Sequence, residues 1–263
     1  MRVYVITMDD PVQTVPFIKK IIEAKKAWII GVAIAKGNRL TIRKGQSKAE
    51  YLVSLLLIMG PFHFAMNGLV TVSYKLMKLV SRYSHWARRQ TLTGWLETHD
   101  IPVQHIHSAN DADFLAFLKR LNPDLIINQS QAILKTELLS IPKMGVINRH
   151  NALLPRNRGR MTPFWVLYKG ENETGVSIHF VTEKLDDGPI IVQKSFPVEP
   201  KDTFNSLVRK NYDLAPAAMI EALDKLASGF TQLIPNNKAE ATYNGTPGLN
   251  EAIKFRIRRL VHQ

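Results

Sequence analysis

Apolar positions along the chain fall into short runs separated by polar, amphipathic stretches. Strand-like runs cover 2–7, 28–35, 102–106, 124–130, 145–151, 175–181 and 190–198. Helix-period patterns fill the gaps at 15–24, 84–99, 112–121, 135–139 and 163–168, and a longer one covers 203–227. Asp202-Thr203 supplies a plausible helix start and Gly229 a stop. This alternation predicts an α/β fold of Rossmann-like type, with a mostly parallel twisted sheet flanked by helices. The opening MRVYVITMDD is short, alternating and ends in Asp9-Asp10, which reads as a buried strand and not a secretory signal.

One stretch breaks the rhythm. From Tyr51 to Tyr74 no residue is charged, a length that could cross a bilayer as a helix. Gly60-Pro61 interrupts it, and His63, Asn67, Thr71 and Ser73 add polar groups. Lys75, Lys78, Arg82, Arg88 and Arg89 follow. We read a helical, apolar insertion over about 37–83. It packs on its own domain or a second subunit, makes peripheral membrane contact through 51–90, or inserts into the membrane.

The chain has 263 residues, 45% hydrophobic and 22% charged, an ordinary globular composition. No cysteine is present, which removes disulfides, thiolate zinc sites and thiol nucleophiles and fits a reducing, cytoplasmic setting, with or without membrane association. The formal net charge of +13 suggests an acidic partner. The turn after the first strand, TMDDPVQT, lacks the G-x-G-x-x-G cradle of a dinucleotide site, and neither a P-loop nor a G-x-S-x-G elbow occurs.

The chemistry concentrates between Met144 and Val198. A strand ends in Asn148-Arg149-His150, and a period of two puts Asn148 and His150 on one face. Open α/β sheets place ligands at such carboxyl strand ends. Leu185-Asp186-Asp187-Gly188 forms a tight acidic turn. Taken singly, these are local hydrogen-bonding groups and a turn. Taken together, an amide, an imidazole and a carboxylate can polarise a carbonyl and manage a proton in acyl transfer.

These residues resemble the folate-dependent formyltransferases, which act on glycinamide ribonucleotide, methionyl-tRNA or amino sugars. The matching motifs are Asn148-Arg149-His150, Leu153-Leu154-Pro155, Arg158-Gly159, Trp165, Gly170-Glu171, Thr174-Gly175-Val176 and Leu185-Asp186-Asp187-Gly188. They are dense over about 124–202 and sparse elsewhere. The resemblance implies transfer of a formyl group from 10-formyltetrahydrofolate, a co-substrate, to a primary amine, without a metal. It places the catalytic roles on Asn148, His150 and Asp186. Asn148 and His150 would stabilise the tetrahedral oxyanion, and Asp186 would orient His150 and accept the amine proton, directly or through water. It places the pterin on Gln131, Ala132, Ile133, Leu134, Leu139 and Val146, and on Val181, Thr182, Glu183, Lys184 and Leu185. For Ile133, Leu134, Leu139 and Val146 the plain alternative is core packing.

Arg149 stands where an apolar residue is usual and should point away from the catalytic face. Asn157 stands where an aromatic is common and would alter acceptor binding. No Gly-rich phosphate loop follows the first strand, and the sixty or so residues after Thr203 leave little room for a tRNA-holding barrel. The domain reading is therefore 1–203 as the catalytic domain, with 204–263 a C-terminal helix and basic tail packing on it. The expected acceptor is a small amine, phosphorylated or lipid-linked, such as an amino sugar on a nucleotide or lipid; nucleic acid is disfavoured, and a homodimer is allowed. The same fold could instead hydrolyse 10-formyltetrahydrofolate, although the first strand starting at Arg2 leaves no room for that enzyme's N-terminal regulatory domain. It could also be a catalytically silent membrane or nucleic-acid binding module. His105 and His107 share a strand face near Asp111 and Asp113, but no third convergent metal ligand can be named. The basic C-terminal KFRIRRLVHQ reads as a solvated tail, which Tyr243 could pack back on the domain.

Overall fold

The computed structural model describes residues 1–36, 42–230 and 232–261. The start of the expected insertion (37–41) and the end of the basic tail (262–263) lie outside the described residues.

The strands β1 (Val3–Met8), β2 (Ile29–Ala35), β3 (Val103–Ile106), β4 (Leu125–Gln129) and β5 (Val146–His150) run parallel. A two-residue strand, β6 (Arg158–Gly159), follows; then β7 (Glu173–Phe180) pairs antiparallel to β5, and β8 (Ile190–Pro197) pairs antiparallel to β7. The order is β3-β2-β1-β4-β5-β7-β8, so the sheet is parallel over its first five strands. β1 alternates perfectly. Val3 and Val5 join one apolar cluster, and Tyr4 and Ile6 the other. Helices cover both faces, which is why the strand reads as a continuous apolar run.

The first cluster packs the sheet against α1 (Thr14–Lys25) and, further along the chain, against the expected long C-terminal helix. The crossover from β2 to β3 holds α2 (Lys48–Met59), α3 (Pro61–Val80), α4 (His85–Gln90) and α5 (Leu92–Thr98). The single helix expected over 84–99 is broken at Thr91, whose hydroxyl accepts from the Gly94 N–H and starts α5 afresh. The second cluster packs the sheet against α6 (Ala112–Leu121) and the single turn α7 (Thr136–Leu139). After β5 comes α8 (Thr162–Lys169), and after β8 comes α9 (Phe204–Ala227), opened by a Thr203/Ser206 capping box. α9 inserts Ala215, Met219 and Leu223 into the main core.

The region beyond α9 departs from the sequence reading. Tyr243–Asn244 forms β9, paired with β6, and Leu249–Val261 is a helix, α10, not a solvated tail. Ala252 and Phe255, three positions apart on one face, are buried against Phe164, Phe204 and Ile58. α10 thereby grips α2 and fixes the base of the insertion.

α2 and α3 break at Gly60-Pro61, as the sequence indicates, with a bend of 119°. Among the described residues no single helix is long and apolar enough to cross a membrane. α2 buries Tyr51, Ser54 and Ile58, whereas α3 has no buried residue. Tyr74 holds α3 to the body: its hydroxyl donates to Asp9 at 2.5 Å and accepts from the Leu92 N–H at 3.0 Å, and Lys78 also pairs with Asp9.

Phe164 is fully buried where α2, α8, α9 and α10 meet. Phe164→Ala should cost about 3–5 kcal/mol, read as a lower urea midpoint with an unchanged slope.

Candidate active site

The carboxyl ends of β1, β4 and β5 open into one cleft of about 810 Å³. The chain winds outward from β1 through β2 to β3 on one side, then crosses from β3 to β4 on the other side of β1, so the cleft sits at the topological switch point. Asn148, His150 and Asp186 all line it. Strand alternation carries Asn148 and His150 to the α6 side of β5 and sends Arg149 toward α1 and α9. There its guanidinium stacks between Phe17 and Tyr212, 4.5 and 4.3 Å from the ring centres.

Asn148 is oriented by a residue the sequence reading did not single out. Gln129, at the end of β4, donates from Nε2 to Asn148 Oδ1 at 2.8 Å and to the Asn128 carbonyl at 2.7 Å. With its oxygen occupied, Asn148 keeps its Nδ2 hydrogens for the cleft.

His150 Nε2 donates to the Asn157 carbonyl at 2.8 Å. That bond fixes the tautomer and turns Nδ1 toward Asp186 Oδ2, 3.5 Å away. Asp186 Oδ2 also accepts from the Gly159 N–H at 2.8 Å. Gly159 is the glycine of the Arg-Gly motif. Its φ is +104°, and a Cβ there would stand 2.1 Å from the Asn244 carbonyl oxygen.

A second imidazole completes the group. His179 lies directly across the antiparallel β5·β7 pair from Asn148. Its Nδ1 donates to the Phe180 carbonyl at 2.8 Å, leaving Nε2 3.7 Å from Asp186 Oδ1. Burial disfavours its charged form and pushes its pKa down to about 4, against the attraction of Asp186. One carboxylate thus sits between two imidazole nitrogens, each with its other ring proton committed elsewhere. The arrangement is a proton acceptor.

Asp186 itself has a left-handed backbone, φ +49°. That conformation costs a non-glycine residue roughly 1–2 kcal/mol. Asn236 pays for it by donating from Nδ2 to the carbonyls of Asp186 (2.9 Å) and Gly188 (2.8 Å). Behind the turn, fully buried Arg158 bonds Asp187, the Tyr243 hydroxyl at 2.8 Å and Asn236 Oδ1 at 2.7 Å.

Of the residues expected to hold the pterin, Gln131, Ala132, Ile133, Leu134, Val181, Thr182, Glu183, Lys184 and Leu185 line the cleft on two facing loops. Thr136 donates to Glu183 and ties these loops together. Leu139 and Val146 do not line it. They belong to the apolar cluster behind, because Val146 starts β5 a full layer below the strand end. Asn157 is also corrected. It is buried away from the cleft, donating to both Glu171 carboxylate oxygens at 2.8 and 2.9 Å. His105 contacts Thr93 and His107 approaches Lys36, so the two do not converge. Among the described residues no group of three His, Cys, Asp or Glu could hold a metal ion.

With this geometry in place, comparison with known proteins is informative. A family model described as Formyl transferase matches residues 85–223, more than half the chain. The chain belongs to the formyl transferase family. It is 38% identical over 148 residues to the methionyl-tRNA formyltransferase of Thermotoga maritima, covering 56% of this chain and 47% of that protein. It is 33% identical over 153 residues to the bifunctional polymyxin resistance protein ArnA of Wigglesworthia glossinidia brevipalpis, covering 56% of this chain and 23% of that one. The chain thus spans about half, or less, of the length of these curated relatives. In fold it is similar to an N-formyltransferase from Helicobacter canadensis, solved with folinic acid and dTDP-3-aminofucose. That match has a TM-score of 0.58 at 16% identity over 93% of this chain and 71% of that one.

The His179 shift has a signed consequence. Its pKa is about 4 when folded against 6.5 normally, so between these values the unfolded chain binds the extra proton. Stability should therefore fall as pH drops from about 6.5 to 4. His179→Asn should flatten that limb of a Tm-against-pH curve measured by calorimetry.

Proposed function

We propose that the chain transfers a formyl group from 10-formyltetrahydrofolate to the primary amine of a small acceptor. The observation carrying this reading is the convergence of the Asn148 amide and the His150–Asp186–His179 acceptor group at one end of a cleft. The other end of that cleft is walled by backbone-rich loops. A volume of about 810 Å³ lies within the range that encloses a cofactor-sized molecule. Ile133 is 77% exposed and Leu185 55% exposed on the facing loops, apolar groups placed to cover a flat heterocycle. The cleft thus fits the folate.

Bound formyl-folate would supply an activated formyl carbon to the amine. Asn148 Nδ2 donates to the formyl oxygen as it gains negative charge, with Gln129 preventing the amide from turning. His150 Nδ1, without a proton in this tautomer, shares with Asp186 the proton released by the attacking amine; once protonated it donates to the same oxygen or passes that proton to the departing folate nitrogen. Asp186 receives the amine proton, and His179, kept neutral by burial, leaves the carboxylate without a competing permanent cation. No nucleophilic side chain is required.

For the acceptor, we propose an amino sugar carried on a nucleotide or lipid. On the side facing the insertion, Tyr51, Leu52, Leu55 and Val72 form an apolar wall, which suits a compact acceptor with an apolar portion. The absence of cysteine supports a reducing, cytoplasmic setting.

Incubation with 10-formyltetrahydrofolate and a panel of amino sugars, glycinamide ribonucleotide and methionyl-tRNA should give a formamide with an amino sugar. Formylation of methionyl-tRNA instead would overturn the acceptor assignment, and formate release without any amine would turn the reading to hydrolysis. Asn148→Ala should lower kcat about 10²–10³-fold. Asp186→Asn should lower it about 10²–10⁴-fold. Gln129→Met should lower kcat with KM for the folate little changed, because it only positions Asn148.

A further inference from the structure

α3 is built inside out. Its face toward the body carries Phe64, Asn67, Thr71, Tyr74 and Met77, all partly covered. Its outward face carries Phe62, Met66, Leu69, Leu76 and Val80, with Val72 at the edge between this face and the cleft. These recur at spacings of three and four and form one stripe along a 20-residue helix, about 30 Å long. Phe62 is 70% exposed, Leu69 63% and Leu76 58%. Tyr83 and Trp86 continue the exposed apolar surface beyond the helix end. A continuous stripe of this size is far more than the scattered exposed apolar residues of an ordinary surface.

The charge around the stripe selects its occupant. Between Glu50 and Glu97 the chain has no acidic residue, and it carries Lys75, Lys78, Arg82, Arg88 and Arg89. Lys75, Arg82 and Arg89 are exposed and have no carboxylate partner among the described residues. A self-complementary dimer through this face would bring two uniformly basic rims together. An anionic bilayer surface matches both the apolar stripe and the basic rim, and exposed Tyr and Trp suit its headgroup layer.

We propose that α3 lies flat on an anionic lipid surface, with its outer stripe in the headgroup boundary. The Tyr74 and Lys78 bonds to Asp9 hold the helix along the body, so it docks on the bilayer and does not cross it. The same helix lines the cleft with Asn67, Gly68, Thr71 and Val72. Docking therefore puts the cleft wall at the membrane surface, where a lipid-borne acceptor would be presented. The docking itself does not depend on the formyl-transfer reading.

The test is co-sedimentation of the full chain with vesicles of equal parts phosphatidylglycerol and phosphatidylcholine, against phosphatidylcholine alone. The wild type should partition at least about tenfold more strongly to the anionic vesicles. Lys75→Gln with Arg82→Gln should lower that partition about twentyfold. Leu69→Glu with Leu76→Glu should reduce it at least as much, with circular dichroism and Tm unchanged because both side chains are exposed. Asn148→Ala should bind vesicles like the wild type, which separates failure of docking from failure of catalysis. Absence of vesicle binding, or binding indifferent to Leu69→Glu/Leu76→Glu, overturns the proposal. So does a lipid-free dimer in sedimentation velocity that the same double variant converts to monomers, which would assign the face to a second copy.

Discussion

The left-handed turn at Asp186 is the constraint around which the site is assembled. A carboxylate must reach over the end of β5 and stop between two imidazoles. A right-handed backbone at that position would aim it elsewhere. The strain, of order 1–2 kcal/mol, is tolerated because the turn is held from several directions. The Gly159 N–H takes one carboxylate oxygen, and Asn236 takes two carbonyls of the turn. Buried Arg158 then locks Asn236 and Asp187 together. These partners come from β6 and from the segment beyond α9. A residue range that looks peripheral in sequence is therefore what keeps the Asp186 carboxylate in place.

The same arithmetic explains why β6 pairs with β9. Two strands of two residues each contribute little by themselves. Their value is positional: the pairing brings Tyr243 onto Arg158, and the close approach of Gly159 to Asn244 leaves no space for a side chain. Arg158 is buried with a carboxylate, a hydroxyl and an amide oxygen around it, and removing any one partner would leave part of a buried charge unsatisfied.

Much of this was legible in the sequence, and the boundary is physical. All seven main strands were visible: the edge strands β3 and β8 read as shorter apolar or alternating runs, and central strands such as β1 and β2, buried on both faces, as apolar runs. Asn148 and His150 were visible because two polar residues at the end of such a strand break that rule at a period of two. His179 was hidden by the same logic: inside GVSIHF it reads as a tolerated polar interruption, and only the antiparallel register sets it opposite Asn148. Gln129 depends on its neighbour strand, and Asn236 lies 50 residues from the turn it pins. Periodicity carries no information about either. For Leu139 and Val146 the sequence left pterin contact and core packing open, because an apolar residue beside a ligand loop and one in the core beneath it look alike; both pack with the core cluster. α10 was concealed by its charge. Three arginines and a lysine mask the Ala252 and Phe255 face, though that i, i+3 pair was the available signal.

Arg149 joins β5 to the rest of the molecule. An arginine facing the helical layer looks like a liability, since its Nε and Nη1 are buried without hydrogen-bond partners. The two flanking rings compensate through cation–π attraction, and Nη2 donates to the Tyr212 hydroxyl at 2.9 Å. Tyr212 in turn donates to Gln13, ahead of α1. One side chain therefore ties β5, α1 and α9 into a single rigid unit directly beneath Asn148 and His150. Gln13 and Tyr212 also line the cleft next to the inner face of α3. Rigidity beneath Asn148 and His150 and a helical wall beside them are complementary features of the cleft. The first fixes where the amide and the imidazole sit, and the second closes the side of the cleft that faces the insertion.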